Sequence, residues 1–333
     1  MNKSSPTPTP IPVAQQPQKQ FPQAPERGED HDSVSTKTAT EERKPVFRLH
    51  FNDLSHPASF HFLNLVDGSR ILPNALEAIR KHLYPSEPSG KPHDQSQKFH
   101  LPPTRSVTVI LRSMGGVAYT TGLDIDSSHK EIHVSLDYIQ NCTNDPHRRR
   151  DEIIGVITHE MVHCYQYDGE QTAPGGLIEG IADFVRLKAG LGPPHWFDEN
   201  GRKPRGDKWD HGYQKTAFFL EWLEEVYGVG TVGRINDALR TAKYNESRGF
   251  WEGLFGQGKK DFWEGLFGEG KTIEALWEAY CEAQDKGKEA QATQTKPIPT
   301  CAATDSATDG SGQSSVLKEA RSYETDDIVV IDN

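Results

Sequence analysis

The sequence is poor in the features that mark disulfide-rich and membrane-spanning proteins. Only four of its 333 residues are cysteine, and it contains no run of 18 consecutive apolar residues. The irregular spacing of the cysteines indicates reduced thiols, because a disulfide framework in a small secreted domain needs a denser set of pairs. The missing apolar run argues against a membrane-spanning helix. The four cysteines are Cys142, Cys164, Cys281 and Cys301.

The first 30 residues also lack an apolar segment of the kind found in secretory signal peptides. Together with the cysteine pattern, this favours a location in the cytoplasm or the nucleus. Non-standard secretion is the alternative.

Basic residues are outnumbered by acidic ones. The chain has 37 Lys and Arg against 48 Asp and Glu, which gives a formal net charge of -11. A surface of this sign offers no electrostatic attraction to nucleic acid or to an anionic membrane. We therefore expect neither as a partner.

Two ends of low complexity flank a central domain. Residues 1–46 hold eight prolines, and residues 285–333 are rich in Ala, Gln, Thr, Ser and Gly. Neither segment can bury enough apolar surface to offset its chain entropy, so both are predicted to be disordered. The remaining core, residues 47–284, is long enough for one catalytic domain.

The core contains the pattern H-E-x-x-H, formed by His159, Glu160 and His163. On a helix, residues four apart share a face, so the two imidazoles can bind one metal ion. Neutral imidazole suits zinc, and a catalytic zinc leaves one position to a water whose pKa it lowers to about 7. Glu160, beside the metal, can then act as general base.

The residues around this pattern are uncharged from Gly155 to Gln166 apart from Glu160. This composition indicates a helix buried behind a site, since a solvated helix would carry Lys or Glu here. Burying Glu160 and the two imidazoles without an interaction partner for each would be costly. A metal ion can interact with all three side chains.

A second helix is predicted after the turn at Pro174, Gly175 and Gly176. Glu179 and Asp183 are four residues apart on one face of it. One of them can be the third metal ligand while the other accepts a hydrogen bond from a metal-bound histidine. The spacing alone leaves the two roles interchangeable.

The run HEMVHCYQYDGEQTAPGGLIEGIADFVRLKAGLGPPHW resembles the signature of the basic secretory protein family of plants and fungi, which are proposed zinc metallopeptidases. The Glu179-x-x-x-Asp183 pair is similar to the second motif of gluzincins such as thermolysin. This resemblance assigns Glu179 as third zinc ligand and leaves Asp183 to orient a histidine. It covers about residues 47–284.

The resemblance implies an α+β fold of the zincin-like metallopeptidase type. We expect a small mixed sheet, an active-site helix that carries the H-E-x-x-H pattern, and a helical C-terminal half. It also implies one Zn²⁺ per chain and a peptide or protein substrate.

Hydrophobic patterning places the elements of the core. Strands are predicted at Val46–Phe51, Ser106–Leu111, Gly115–Thr120 and Glu131–Leu136, and further helices at Pro73–Tyr84, Thr216–Tyr227 and Ile273–Tyr280. Residues 85–104 are polar with several prolines and are predicted to be a mobile insertion. By the zincin resemblance, residues 117–122 are the candidate edge for pairing with substrate backbone, and an ordinary internal strand is the alternative.

A donor to the developing oxyanion is expected in a zinc peptidase. Tyr213 is the candidate, and His211 and His195 are alternatives. A packing role for a tyrosine at a helix start is the simpler interpretation.

Two further features lie toward the C-terminus. Residues 250–259 recur as residues 262–271, which indicates a local duplication of one helix-and-turn element. The run Ile328, Val329, Val330 and Ile331 between acidic residues resembles a SUMO-interacting motif, which would add as a strand to a SUMO-like partner. A terminus without function is the alternative.

The sequence thus predicts a zinc-dependent metallopeptidase with Glu160 and Tyr213 as catalytic residues. The competing hypothesis is a catalytically silent, zinc-stabilised module that binds a glycan or a protein. The intact Glu160 favours the enzyme, because a structural zinc site has no use for a general base.

Overall fold

The computed structural model describes residues 44–85, 99–244 and 261–294, with side-chain surroundings as far as residue 287. Within these residues the fold is mixed α+β, with one small sheet in the first half and helices in the second, as the sequence predicts. The strands are β1 (Val46–Phe51), β2 (Ser106–Arg112), β3 (Ala118–Gly122) and β4 (His129–Ser135). The helices are α1 (Pro57–Leu65), α2 (Ile71–Leu83), α3 (Leu136–Asn141), α4 (Pro146–His163), α5 (Gly175–Lys188), α6 (Tyr213–Tyr227), α7 (Thr231–Thr241), α8 (Phe262–Phe267) and α9 (Ile273–Gln294).

The sheet is mixed, with the strand order β1-β2-β4-β3. The strands β1, β2 and β4 are mutually parallel, and β3 runs antiparallel to β4 at the edge. Alternate residues of β2 point into the core, where Val107, Val109 and Leu111 are fully buried. The helix α4 packs beside β3 and β4, so the edge strand lies next to the helix that carries the H-E-x-x-H pattern.

Several predicted boundaries need correction. The third strand begins at Ala118 instead of Gly115, and α2 begins at Ile71, two residues before Pro73. A proline within the first helical turn removes no intrahelical hydrogen bond, which allows the earlier start.

The prediction of disorder from residue 285 is wrong for ten residues, because α9 continues to Gln294. That segment is rich in Ala, Glu, Gln and Lys, which favour helix.

Other predictions concern segments outside the described residues. These are most of the polar insertion, the first copy of the repeat, Cys301 and the run Ile328–Ile331. The second copy of the repeat forms α8 and the turn after it, and its Trp263 is fully buried. Cys142, Cys164 and Cys281 are present as thiols. None of the described helices combines the length and apolar character that crossing a membrane requires.

Candidate metal centre

The helix α4 positions the two histidines at its C-terminal end. It starts where the Asp145 side chain accepts a hydrogen bond from the backbone N–H of His147 at 2.9 Å, with Pro146 at the first helical position. Its last turns are buried against the core. His159 and His163 project from the same face, as their spacing predicts.

The helix α5 runs antiparallel to α4 and supplies the acidic side chains. Asp183 lies beside His159, and Glu179 lies near both histidines. The structure therefore brings together all four residues that the sequence assigned to the metal and its surroundings.

The geometry of three side chains fits a zinc ion. His159 Nε2 lies 3.0 Å from Glu179 Oε2 and 3.2 Å from His163 Nε2, and the remaining pair, His163 Nε2 and Glu179 Oε2, is 3.8 Å apart. Zinc bonds of about 2.0–2.1 Å in a tetrahedral arrangement separate ligand atoms by about 3.3 Å. Among the described residues, these three form the one His/Cys/Asp/Glu group compact enough to hold a metal ion.

Asp183 contacts one ring nitrogen of His159. Its Oδ1 lies 2.6 Å from His159 Nδ1, and its side chain is only 3% exposed. This contact leaves Nε2 of His159 directed at Glu179 and His163, which is the arrangement that a metal-binding histidine needs. Asp183 thus contacts Nδ1 of His159, and Glu179 contacts Nε2.

The two imidazoles have opposite pKa shifts. Burial lowers the pKa of His159, but hydrogen bonds to Asp183 and Glu179 outweigh it and raise the value to about 9. Burial and the neighbouring charge of His159 lower the pKa of His163 to about 4. One positive charge is thus favoured between the two rings, and a metal cation can replace that proton.

Glu160 lines the same cavity as the three proposed ligands. Its Oε2 accepts a hydrogen bond from Thr120 Oγ1 at 2.7 Å, and Thr120 lies on the edge strand β3. Burial raises the pKa of the Glu160 carboxyl, while Thr120 and the charge of His159 lower it. A raised pKa brings a carboxylate closer to the range that a general base requires at neutral pH.

Tyr213 lies over His159, one of the proposed ligands. Its ring stacks on that of His159 with 6.1 Å between the ring centres, and 55% of the residue is exposed. The negative charge of Glu179 raises the pKa of the Tyr213 hydroxyl, so the group stays protonated and can donate a hydrogen bond. Its φ of 47° is rare for a residue other than glycine.

Close packing between α5 and α6 holds the start of α6, where Tyr213 lies, in place. Thr216 is fully buried, accepts a hydrogen bond from the N–H of Gly212 at 2.9 Å and donates one to the carbonyl of Trp209 at 2.8 Å. A Cβ atom on Gly180 would lie 2.3 Å from Thr216 Cγ2. The absence of a side chain at Gly180 therefore lets α6 approach α5 and bring Tyr213 to the site.

The two alternative donors differ in position. His195 is exposed and lines the cavity at the metal centre, whereas His211 is exposed and lies outside the lining. Of the three candidates, Tyr213 is the one whose ring contacts a proposed ligand.

A cavity of about 650 Å³ surrounds the centre. It is bounded by residues 117–120 of the sheet edge, by α4 and α5, and by the segment around Trp196. The lining residues that the sequence analysis did not assign to the site include Tyr138, Glu152, Arg186 and Trp196. Helical periodicity was the available signal for two of them, since Glu152 is seven residues before His159 and Arg186 is seven after Glu179.

Comparison with known proteins gives one match. A family model described as "Peptidase of plants and bacteria" matches residues 44–280, more than two thirds of the chain. No curated protein and no solved structure matches.

Proposed function

The chain belongs to the family of peptidases of plants and bacteria, and we propose that it is a zincin-like metallopeptidase that hydrolyses peptide bonds with one zinc ion. The observation that carries this proposal is the convergence of His159, His163 and Glu179 beside the buried carboxyl group of Glu160 in one open cavity. Three ligands with an adjacent general base are the arrangement of a catalytic zinc site.

Each ligand has a defined task in this proposal. His159 and His163 bind the ion through Nε2, and Glu179 binds it through a carboxylate oxygen. When bound, the ion polarises the carbonyl group of the substrate and activates water at neutral pH. Asp183 keeps a hydrogen bond with His159 Nδ1, which fixes the orientation of that ring.

In the proposed reaction, Glu160 transfers a proton from the attacking water to the leaving amine. Its carboxylate accepts a proton from the attacking water and returns it to the amine that leaves. Thr120 donates a hydrogen bond to Oε2 of this carboxylate. That contact holds the carboxyl group in the cavity and leaves Oε1 for the water.

Two further features support peptide hydrolysis. Tyr213 carries a protonated hydroxyl beside the ligands and donates to the oxyanion as it forms. The strand β3 lies at the sheet edge along the cavity, and its outer edge pairs with no other strand among the described residues. An extended substrate adds there through main-chain hydrogen bonds.

The test is cleavage of a mixed peptide library by zinc-loaded protein. We expect the wild-type protein to cleave and Glu160→Gln to be slower by a factor of about 10²–10⁴ in kcat/KM, because the amide cannot accept the proton. Glu225→Gln on the exposed face of α6 is the matched control and keeps wild-type activity.

Zinc content must be equal in all three proteins, which separates a lost base from a lost metal. Absence of cleavage by wild-type protein with one zinc per chain would overturn the peptidase proposal. The zinc-stabilised binding module would then become the leading hypothesis.

A further inference from the structure

The cavity continues well past the proposed metal ligands along the paired helices α4 and α5. Asp183 is next to His159, and further along the same two faces Arg186 Nη2 is 3.0 Å from Glu152 Oε2. Glu152 is seven residues before His159, which corresponds to about 10 Å along a helix. The cleft therefore has a second polar end, formed by Arg186 and Glu152, at a distance from the metal centre that a substrate side chain or short segment can span.

The guanidinium group of Arg186 is held rigidly at this end. Its side chain is only 8% exposed, Nε donates to the carbonyl of Leu191 at 3.1 Å, and the Trp196 ring centre is 5.0 Å away. A Cβ atom on Gly155 would lie 2.5 Å from Nε, so the glycine lets the guanidinium approach α4 closely.

One nitrogen of the guanidinium group has no hydrogen-bond partner among the described residues. Within the described part of the chain, hydrogen bonds are formed by Nε and Nη2 of Arg186 but not by Nη1. Nη1 is not among the buried polar atoms of the described residues that lack a partner, so it is accessible to solvent. Because Arg186 lines the cavity, an acceptor on a bound substrate can take the place of water at this accessible donor.

Glu152 supplies acceptors beside this donor. Its Oε1 accepts from the Tyr138 hydroxyl at 2.8 Å and its Oε2 accepts from Arg186. Each carboxylate oxygen has two lone pairs, so each can accept one more hydrogen bond. The Glu152 side chain is 13% exposed and lines the cavity.

We propose that this end of the cleft is a specificity subsite for a carboxamide side chain, glutamine or asparagine, near the scissile bond of the substrate. The inference rests on the proposed peptidase function and adds its substrate preference. The carboxamide oxygen accepts from Arg186 Nη1, and its NH₂ group donates to Glu152.

Charge distinguishes the carboxamide from its nearest competitors. Arg186 and Glu152 together have no net charge, so a substrate carboxylate would lose its water without gaining a net positive partner, and it would lie close to Glu152. An apolar side chain would leave both the donor and the acceptors unpaired. A carboxamide satisfies both groups.

The experiment uses three peptides that differ only at the position that a library identifies with this subsite. That residue is Gln, Glu or Met, which are similar in length. We expect zinc-loaded wild-type protein to cleave the Gln peptide at least about ten times faster in kcat/KM than the other two.

The variant Glu152→Gln removes the negative charge while retaining size. It leaves the Arg186 charge without its counter-ion, so we expect the preference to shift at least about tenfold from the Gln peptide toward the Glu peptide. Glu225→Gln is the matched control and keeps the wild-type order. If Glu152→Gln does not fold, the wild-type series decides the question by itself.

Binding separates this inference from the proposed function. Labelled forms of the three peptides are titrated with zinc-loaded Glu160→Gln protein and followed by fluorescence anisotropy. Tighter binding of the Gln peptide without cleavage by wild-type protein would support the subsite and overturn the peptidase proposal. Cleavage with equal rates for all three peptides would overturn the subsite alone, and neither cleavage nor selective binding would overturn both.

Discussion

His159 makes more directed contacts at the candidate centre than the other proposed ligands. Its Nδ1 lies 2.6 Å from Asp183, and its Nε2 faces Glu179 and His163. Because the Asp183 contact restrains the ring, we expect the metal affinity of His159 to depend on Asp183, which is not itself a proposed ligand. The expected metal affinity therefore depends on the buried carboxylate of Asp183 as well as on the three proposed ligands.

The change Asp183→Asn tests this dependence. The amide retains the size of the side chain but loses the charge that supports His159, so we expect zinc affinity to fall by about 10–100-fold. Competition with a chromophoric chelator at fixed pH measures the loss.

Asp151→Asn is the matched control, because Asp151 is exposed on the same helix as the histidines. Its affinity should equal that of the wild type. A zinc affinity in Asp183→Asn that is also unchanged would show that Asp183 does not support the ligand.

The contact between α5 and α6 is the element-level feature on which the cleft depends. Gly180 faces Thr216, and a Cβ atom on Gly176 would lie only 1.9 Å from the carbonyl oxygen of Asp210. Such close approach needs glycine at both positions. It sets the start of α6 and with it the unusual backbone of Tyr213, a kind of strain that concentrates at functional sites.

Substitution of Gly180 by Ala tests this packing. Alanine favours helix over glycine by about 1 kcal/mol, but overpacking against Thr216 costs about 1–3 kcal/mol. We expect a net loss of unfolding free energy in urea titrations, together with a lower kcat because Tyr213 moves.

Thr216→Ser in the same chain should restore part of the loss, because it removes the methyl group Cγ2 that the new Cβ meets and retains Oγ1. Gly265→Ala, on α8, is the control: no heavy atom lies within 4 Å of its added Cβ, so it should be neutral or stabilising. Additive effects of the Gly180 and Thr216 changes would contradict a direct contact.

At the scale of the whole molecule, the candidate metal centre lies where the sheet meets the helices. Thr120 on β3 contacts Glu160 on α4, and α4 contacts α5 through the proposed ligands. Metal binding to this junction should therefore stabilise the domain, because the ion binds the folded state and finds no assembled site in the unfolded chain.

Metal removal is the corresponding prediction. A zinc concentration one hundred times the dissociation constant adds about 2.7 kcal/mol to the unfolding free energy, so chelation should lower the midpoint temperature by about 5–10 °C. Differential scanning calorimetry before chelation, after it and after zinc is restored measures the shift.

His163→Gln serves as the comparison protein. It lacks one proposed ligand, so its midpoint temperature should respond little to chelator or to added zinc. Equal midpoints of the wild-type protein with and without zinc would contradict binding at this centre.

Local patterns in the sequence were sufficient to predict much of this protein. The spacing of His159 and His163 predicts a shared helix face, and the pair Glu179 and Asp183 predicts a second one. Alternating apolar residues predict β1. These inferences succeed because helix and strand periodicity depends on residues close together in the chain. The disorder predicted for the tails outside the described residues and the SUMO-like run remain predictions.

The tertiary structure decided which distant residues meet. It brings Thr120 to Glu160, Arg186 to Glu152 and Tyr213 to His159, and it favours Asp183 as the residue that orients His159. Sequence spacing left the roles of Glu179 and Asp183 interchangeable, since both lie on one helix face. The register between α4 and α5, set by packing across the core, brings Asp183 to Nδ1 of His159 and Glu179 to Nε2, and no local pattern encodes that register.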